Sequence, residues 1–316
     1  MIEIKNRAQG SMYTLSNENG TKLTLCSFGA GVRRFVCHDK DIIVAPKDDD
    51  AYLHENFLFG KCVGPFLGRI DRGEVGEYNL GIDMEGYSLH SGELNFAFRE
   101  FIATPDPDGL GIAFHLLAEE VPGKMPSIEV KVEYRLLPYG YHAKVKAIPS
   151  KPYPLNIAFH PYFNLGANKE GILEHVLRLK AQKTVLYDPR MVPIGHRDII
   201  SALDFSSPKP LGRDMLNKEI AIPPFGGYDH CFIGVEYPVT LEAGNLRMTL
   251  RASRDCMQVY SLNTEELETK LLNDEPIRQH AGVALEAVND PVAMLNERYD
   301  ATRPYESEET IEIERI

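Results

Sequence analysis

Residues 128–136 read IEVKVEYRL, and this stretch decides the fold class. Its apolar residues alternate with charged ones, at Ile128, Val130, Val132, Tyr134 and Leu136. Successive side chains of an extended strand point to opposite faces, so the alternation indicates a strand with one buried and one solvated face. Residues 176–180, 246–252 and 310–314 repeat the pattern. The chain is therefore predicted to be rich in strands.

Turn signals separate these strand-like segments. Clusters of glycine, proline and asparagine occur at residues 18–20, 105–109, 138–140 and 223–227. Two short segments favour helix, namely 264–272 (TEELETKLL), with Thr264 as its N-cap, and 51–59. No strand–helix–strand rhythm is present, which disfavours a doubly wound fold. We predict an all-β protein, a large antiparallel β-sandwich with few short helices, as a single domain over residues 1–316.

Composition and charge exclude several classes of protein. The 316-residue chain has a formal net charge of -12, which disfavours binding to nucleic acid and anionic membranes. No apolar stretch approaches the roughly 20 residues that span a bilayer, and no signal peptide is recognisable. Five cysteines, at positions 26, 37, 62, 231 and 256, form no C-x-x-C pair, so reduced thiols in a cytoplasmic protein are expected. The acidic clusters at 48–50 and 306–309 are predicted to be solvated surface.

Common catalytic signatures are absent from the sequence: it has no P-loop, H-E-x-x-H, G-x-S-x-G or G-x-G-x-x-G opening a helix. Two ionisable residues stand instead in apolar, strand-like surroundings. His160 lies in IAFHPYFNL (157–165), where partial desolvation disfavours the imidazolium and leaves a ring able to exchange protons near neutral pH. Glu286 lies in GVALEAVN (282–289), where burial would raise its pKa toward that of a useful base. The alternatives are a hydrogen-bonded core histidine and an outward-facing strand carboxylate.

Three further segments carry candidate binding residues. Arg69 lies in GPFLGRIDRG (64–73), His90 in SLHSG (88–92) and Asp229 in GGYDHCF (226–232). Glycines, serine or proline flank each of them, as is common at strand ends and turns that bind ligands. Taken singly, each is equally compatible with a structural role.

Together these segments resemble the aldose 1-epimerase (galactose mutarotase) family. GPFLGRIDRG is similar to its G-x-x-x-N-R-I segment, SLHSG to S-L-H-G-G, NIAFHPYFNL to N-H-x-Y-F-N-L, GGYDHCF to its D-H segment, and GVALEAVNDP to L-E-T-Q. The five segments follow the family's order over residues 64–291. H-P-Y-F-N-L and the L-E pair are the most specific.

The resemblance implies a β-sandwich with a sugar in an open cleft, Glu286 as general base and His160 as general acid. It also implies sugar-hydroxyl contacts from Arg69, His90 and Asp229. Interconversion of anomers opens and recloses the C1–O5 bond by proton transfers alone, so no cofactor and no metal are expected. The expected partner is a small-molecule sugar, with no nucleic acid and no membrane, and the protein is expected to be a monomer or homodimer.

Several positions depart from the family pattern and leave the sugar open. Pro65 replaces the family's first arginine and Gly68 its asparagine, Ser91 follows His90, and Ala287-Val288 replace T-Q. The chain has no tryptophan, so sugar stacking would need other aromatic residues. The candidates are Phe163, Tyr228 and Phe96.

Three rival functions remain open from the sequence. A hexose-6-phosphate or other anionic-sugar 1-epimerase could use Arg33-Arg34 or Arg72 for the anion. A metalloenzyme could use His90, His160 and His230 as zinc ligands. A non-catalytic carbohydrate-binding protein could share the sandwich.

Overall fold

The computed structural model describes residues 1–165, 171–220 and 226–316. Within these ranges the regular structure is dominated by strands. In chain order they are β1 (Ile2–Lys5), β2 (Met12–Ser16), β3 (Lys22–Cys26), β4 (Gly31–Cys37), β5 (Lys40–Asp41), β6 (Ile43–Val44), β7 (Cys62–Val63), β8 (Arg69–Asp71), β9 (Glu74–Val75), β10 (Tyr78–Asn79), β11 (Tyr87–Leu89), β12 (Ile102–Pro105), β13 (Gly111–Ala118), β14 (Ile128–Leu137), β15 (Gly140–Pro149), β16 (Ala158–Phe159), β17 (Tyr162–Phe163), β18 (Val176–Lys180), β19 (Lys183–Tyr187), β20 (Pro193–Arg197), β21 (Phe205–Pro210), β22 (Asp229–Ile233), β23 (Glu236–Ala243), β24 (Leu246–Ala252), β25 (Cys256–Tyr260), β26 (Leu267–Lys270), β27 (Pro276–Ile277), β28 (Val283–Val288) and β29 (Tyr305–Arg315).

Two large antiparallel sheets organise the molecule. The nine-stranded sheet has the order β12-β13-β14-β15-β29-β24-β23-β18-β21, and the seven-stranded sheet has the order β20-β19-β22-β25-β28-β17-β6. A five-stranded sheet, β1 to β5 in sequence order, is formed by the N-terminal segment. Strand β29 lies between β15 and β24 and is the central strand of the nine-stranded sheet.

Strand β14 shows why these residues form a sandwich. It pairs with β13 and β15, and its alternating apolar residues are buried while their neighbours are not. The inward faces of both large sheets meet in one hydrophobic cluster, to which β14 contributes Val132 and Tyr134, and the opposing sheet Val259 and Leu285. The predicted strands at 128–136, 176–180, 246–252 and 310–314 are confirmed, as is the all-β sandwich.

Helix is scarce in the described ranges. The α-helix α1 (Asp49–His54) begins where the Asp48 carboxylate accepts the Ala51 N–H at 2.8 Å. The predicted helix at 51–59 is therefore correct only as far as His54. The remaining helical segments are single 3₁₀ turns at Gly92–Leu94, Phe96–Phe98, Ser201–Leu203, Leu211–Arg213 and Met294–Asn296.

The predicted helix at 264–272 is wrong. Residues 267–270 form β26, which pairs with β27 in a two-stranded hairpin. Leu271 bridges to Pro46, and the Lys47 N–H donates to the Lys270 carbonyl at 2.7 Å. These non-local bonds, together with the burial of Leu271 and Ile277 against Tyr52, override a local helix preference.

Turns and cysteines agree with the sequence wherever the structure describes them. Residues 18–20, 105–109 and 138–140 each include a turn between paired strands. The predicted turn at 223–227 lies partly outside the described residues. The five cysteines are buried free thiols. No helix within the described ranges has the length and apolar character required to cross a membrane.

Glu309 corrects the expectation that residues 306–309 are solvated. In β29 it shares parity with Tyr305 and Ile311, so it points into the sandwich and is only 3% exposed. Burial raises the pKa of the Glu309 carboxyl to about 8 from an ordinary value of 4.5. The fold therefore holds a neutral carboxylic acid in its core at neutral pH.

We expect Glu309→Gln to stabilise the protein more as the pH rises. Because the folded-state pKa is raised, the native carboxyl contributes its full stability below about pH 4.5 and loses it as the pH rises through about 8. The amide does not titrate, so the gain in Tm should grow across this window. Thermal denaturation from pH 4.5 to 8 checks this, with the exposed neighbour Glu308→Gln as control. Parallel Tm profiles for Glu309→Gln and the unaltered protein would show that Glu309 is not buried as described.

Candidate active site

A cavity of about 270 Å³ lies against the seven-stranded sheet and is lined by residues from six of its strands. Its lining comes from segments that are far apart in sequence. The polar residues of the lining include Arg69, His90, His160, Asp229, Gln258 and Glu286. Apolar residues such as Phe57, Leu58, Met191 and Pro193 form part of its wall. All five residues that the sequence singled out thus face one cavity.

Strand register brings the acidic residues together. Glu286 in β28 lies directly opposite Gln258 in β25. Asp229 begins the next strand, β22, opposite Tyr260. Residues two apart in a strand share a face, so Asp229, Gln258 and Glu286 all present their side chains to the cavity. His160 follows β16, and its backbone is fixed by hydrogen bonds to Gly60 and Lys61.

Glu286 and His160 form a buried pair. Glu286 is 1% exposed and His160 4% exposed, and 3.6 Å separates His160 Nε2 from Glu286 Oε2. His160 Nδ1 and Glu286 Oε2 have no hydrogen-bond partner among the described residues. Buried polar atoms are nearly always paired, so two orphans at one cavity point to a ligand that completes them.

Burial controls the protonation of this pair. Desolvation lowers the pKa of His160 to about 4. Desolvation also raises the pKa of Glu286 well above its ordinary value of 4.5, with Asp229 and Glu309 adding in the same direction. Burial therefore favours the uncharged form of both groups, with one exchangeable proton on Glu286. At a separation of 3.6 Å the two groups are close enough to share this proton.

A hydrogen-bonded network spans the neighbouring wall. Arg69 Nη1 lies 3.3 Å from Asp229 Oδ2, and Gln258 Nε2 donates to Asp229 Oδ1 at 2.6 Å. The Tyr187 hydroxyl reaches Gln258 Oε1 at 3.5 Å. Burial alone would lower the pKa of Arg69, but the Asp229 carboxylate and Tyr87 raise it overall. The guanidinium stays charged, and its Nε has no hydrogen-bond partner in the described ranges.

His90 is held as a neutral ring. Its Nδ1 accepts the Gly68 N–H at 3.1 Å, so the proton of the neutral ring lies on Nε2. Burial lowers the pKa of His90 to about 3, and the charges of His160 and Arg69 contribute. The ring stands edge-on to His160, with centroids 6.2 Å apart. His90 therefore offers the cavity a hydrogen-bond donor.

Comparison with known proteins decides the family. The sequence model of the aldose 1-epimerase family matches residues 11–307. The chain belongs to the aldose 1-epimerase family. It is 22% identical to a maltose epimerase of Levilactobacillus brevis, over 92% of this chain and 89% of the relative. It is 24% identical to an aldose 1-epimerase of Escherichia coli, over 87% and 85% of the two chains.

Solved structures share the fold. A galactose 1-epimerase from Lactobacillus acidophilus superimposes with a TM-score of 0.87 at 20% identity, covering 100% of this chain and 98% of the other. A GalM/aldose epimerase homologue from C. elegans gives 0.85 at 17% identity, covering 100% of both chains. These likenesses confirm the mutarotase-like sandwich.

Several sequence-based candidates lie elsewhere in this epimerase. His230 turns away from the cavity, with its Nδ1 accepting the Asp229 N–H at 3.1 Å. No cluster of three metal-ligating side chains occurs in the described part of the chain. Arg33 contacts Asp49, Arg34 pairs with Asp41, and Arg72 pairs with Glu74, all outside the cavity lining.

The aromatic stacking candidates are wrong. Phe163, Tyr228 and Phe96 are fully buried in the core. In β17 the alternation turns Tyr162 toward the cavity and Phe163 into the sandwich. Among the described residues, the aromatic side chains that line the cavity are Phe57, Tyr162, Tyr187 and Tyr260. Gln258 and Tyr187 were also missed. The only local signal was the polar position of Gln258 within the apolar strand CMQVY.

Gly68 enlarges the cavity at one departure from the family pattern. Its φ is +90°, a conformation that other residues rarely adopt. A Cβ placed there would meet no described atom within 4 Å. Gly68 thus leaves open space in the lining where the family has asparagine.

We expect Arg69→Ala to weaken sugar binding by about 1.5–3 kcal/mol, the usual worth of a hydrogen bond to a charged group. The change removes a donor and leaves Asp229 without its cation. Calorimetric titration with a sugar substrate checks this. Arg72→Ala is the matched control, because Arg72 lies three residues away with its side chain 65% exposed. Equal sugar affinity of the two variants would show that Arg69 does not bind the sugar.

Proposed function

We propose that the protein interconverts the α and β anomers of an uncharged aldose, with Glu286 and His160 exchanging the protons. The observation that carries this proposal is the unpartnered Glu286–His160 pair, 3.6 Å apart in the cavity lining. Family membership supplies the reaction class, an isomerase acting on a sugar hemiacetal. Arg69, His90, Asp229 and Gln258 are proposed to bind the sugar hydroxyls.

The short separation fits the geometry of the substrate. Both oxygens that exchange protons, the C1 hydroxyl and ring oxygen O5, are bonded to the same carbon. Two groups 3.6 Å apart can therefore serve both oxygens of a pyranose that lies beside them. Glu286 removes the C1 hydroxyl proton as His160 protonates O5 and the C1–O5 bond breaks. Rotation about C1–C2 and closure on the other face return both protons.

The burial of the pair fits the proton positions that the proposed reaction requires. Before ring opening the pair holds one proton on His160, and after it one proton on Glu286. The second state is the neutral one that desolvation favours. The buried surroundings of the pair thus favour the protonation state of the open-chain complex. The ion-pair form is reached only within the sugar complex, where hydroxyl groups stabilise its charges.

An uncharged sugar fits the charges of the lining. Arg69 is the lining cation among the described residues, and Asp229 already neutralises it. A phosphate or carboxylate on the sugar would meet Asp229 without a free cation. Maltose and galactose, named in two similar proteins, are uncharged sugars. The substrate is therefore proposed to be a neutral mono- or disaccharide with a free reducing end.

The cysteines and the shared core bear on the cellular setting and on the domain organisation. Five buried free thiols fit a reducing compartment, so we place the protein in the cytoplasm. The shared core supports residues 1–316 as one folding unit. We propose a monomer or homodimer.

We expect Glu286→Gln and His160→Asn each to reduce catalysed mutarotation by roughly 10²–10⁴-fold, because each removes one proton carrier. The double variant should lose less than the product of the single losses, since the pair acts as a unit. Polarimetry of a freshly dissolved pure anomer measures the rate.

His175→Asn is the matched control. His175 is buried with a pKa also lowered to about 4 by desolvation, but it contacts the Leu165 N–H and does not line the cavity. Circular dichroism confirms that each variant is folded. Near-normal mutarotation by folded Glu286→Gln would make Glu286 an ordinary buried carboxyl and refute the proposal.

A further inference from the structure

A second buried charge pair lies behind His160. Lys61 is fully buried, and its Nζ lies 3.4 Å from Glu55 Oε1, whose side chain is 8% exposed. Lys61 Nζ also donates to the Leu53 carbonyl at 3.3 Å. The rings of Phe28, Tyr52 and Phe98 surround the ammonium at 5.7, 5.3 and 5.0 Å. Neither Glu55 nor Lys61 lines the cavity.

The Glu55 carboxylate fixes part of the cavity wall. It follows α1 and accepts the backbone N–H of Phe57 with one oxygen and that of Phe59, at 3.1 Å, with the other. The residues held in this way include Phe57 and Leu58, which line the cavity. Leu58 has a φ of +60°, a backbone conformation that a branched residue keeps only when its surroundings impose it.

The same segment holds the proposed acid. The Lys61 carbonyl accepts the His160 N–H at 3.0 Å, and the Gly60 N–H donates to the His160 carbonyl at 2.9 Å. The Tyr162 hydroxyl donates to the Phe57 carbonyl at 3.0 Å. Residues 55–61 therefore connect the wall of the cavity with the backbone of His160, and a shift of this segment moves both.

The charge of Lys61 acts on the cavity wall through Glu55. Burying an ammonium group is costly, and an apolar side chain would fill the same aromatic surroundings at lower cost. Burial lowers the pKa of Lys61 and raises that of Glu55, and each shift is opposed by the partner's charge. The Lys61 charge, 3.4 Å away, favours the ionised form of Glu55, the form whose two oxygens best accept both N–H groups.

We propose that Glu55 and Lys61 are positioning residues, which set the place of His160 and of the Phe57–Leu58 wall against the bound sugar. The inference rests on the proposed role of His160. It assigns to this buried pair an effect on catalysis in addition to any effect on stability.

Lys61→Met tests the proposal, with Lys209→Met as matched control. Lys209 is an equally buried lysine, paired with Asp214 at 2.7 Å and lying over the ring of Phe205, away from the cavity. Lys61→Met should lower kcat by on the order of 10-fold and raise KM, because small displacements of catalytic groups are costly. Lys209→Met should lower Tm but leave kcat and KM of the folded protein unchanged.

A fluorescence measurement makes the test independent of activity. The chain has no tryptophan, so Phe57→Trp introduces a single tryptophan into the wall, which can be excited selectively over tyrosine. In this background Lys61→Met should increase quenching by acrylamide, and Lys209→Met should not. If the unaltered protein shows no mutarotation, the proposed function fails, yet the quenching still reports whether the pair holds the wall.

The double variant Glu55→Gln with Lys61→Met covers the case in which the single variant does not fold. It removes both charges together, which buried pairs tolerate better than the loss of one partner. An amide oxygen replaces only part of the carboxylate's hydrogen bonding, so kcat should still fall and quenching should still rise. Unchanged kcat, KM and quenching in either folded variant would overturn the proposal and leave the pair a purely structural one.

Discussion

Burial of the Glu286 carboxyl beside the His160 imidazole is the constraint on which the rest of this structure depends. Each group is almost inaccessible, so neither can hold a charge at low cost before a ligand arrives. The sandwich provides the dry surroundings, and the register of β28, β25 and β22 aligns Glu286, Gln258 and Asp229 along one wall. Under the proposed function, the low polarity that makes the pair costly also allows one proton to be exchanged within it.

Buried ionisable groups recur around this cavity, in different surroundings. Asp229 is hydrogen-bonded by Arg69 and Gln258, so this wall of the cavity is oriented within the protein itself. Glu55 and Lys61 neutralise each other behind His160. Glu309 lies deeper in the sandwich and remains a neutral acid, with a pKa raised to about 8. When Glu309 ionises, its charge adds to the raised pKa of Glu286.

The fold could be predicted because strand alternation is a local signal, as in residues 128–136. The prediction of a helix at 264–272 was wrong because residues 270 and 271 form non-local backbone contacts with residues 46 and 47. Parity within β29 could have identified Glu309 as buried, but the clustered acidic charges outweighed it. His160 and Glu286 stood out as polar residues in apolar runs. No such signal marked Gln258, Tyr187 or the Glu55–Lys61 pair, because the residues that they contact lie on distant segments. The sequence also could not show that Tyr162, and not Phe163, faces the cavity.

The central claim is that the site works with one proton on the Glu286–His160 pair. The most direct test is the pH dependence of α–β exchange of a neutral aldose, measured at equilibrium by NMR exchange spectroscopy of the anomeric protons with the buffer rate subtracted. We predict a plateau through neutral pH. The rate should fall near pH 4, where His160 takes up a second proton, and again at high pH, where Glu286 loses the last one. An enzymatic rate that rises steadily with pH, or no enzymatic exchange for any neutral aldose, would contradict the account.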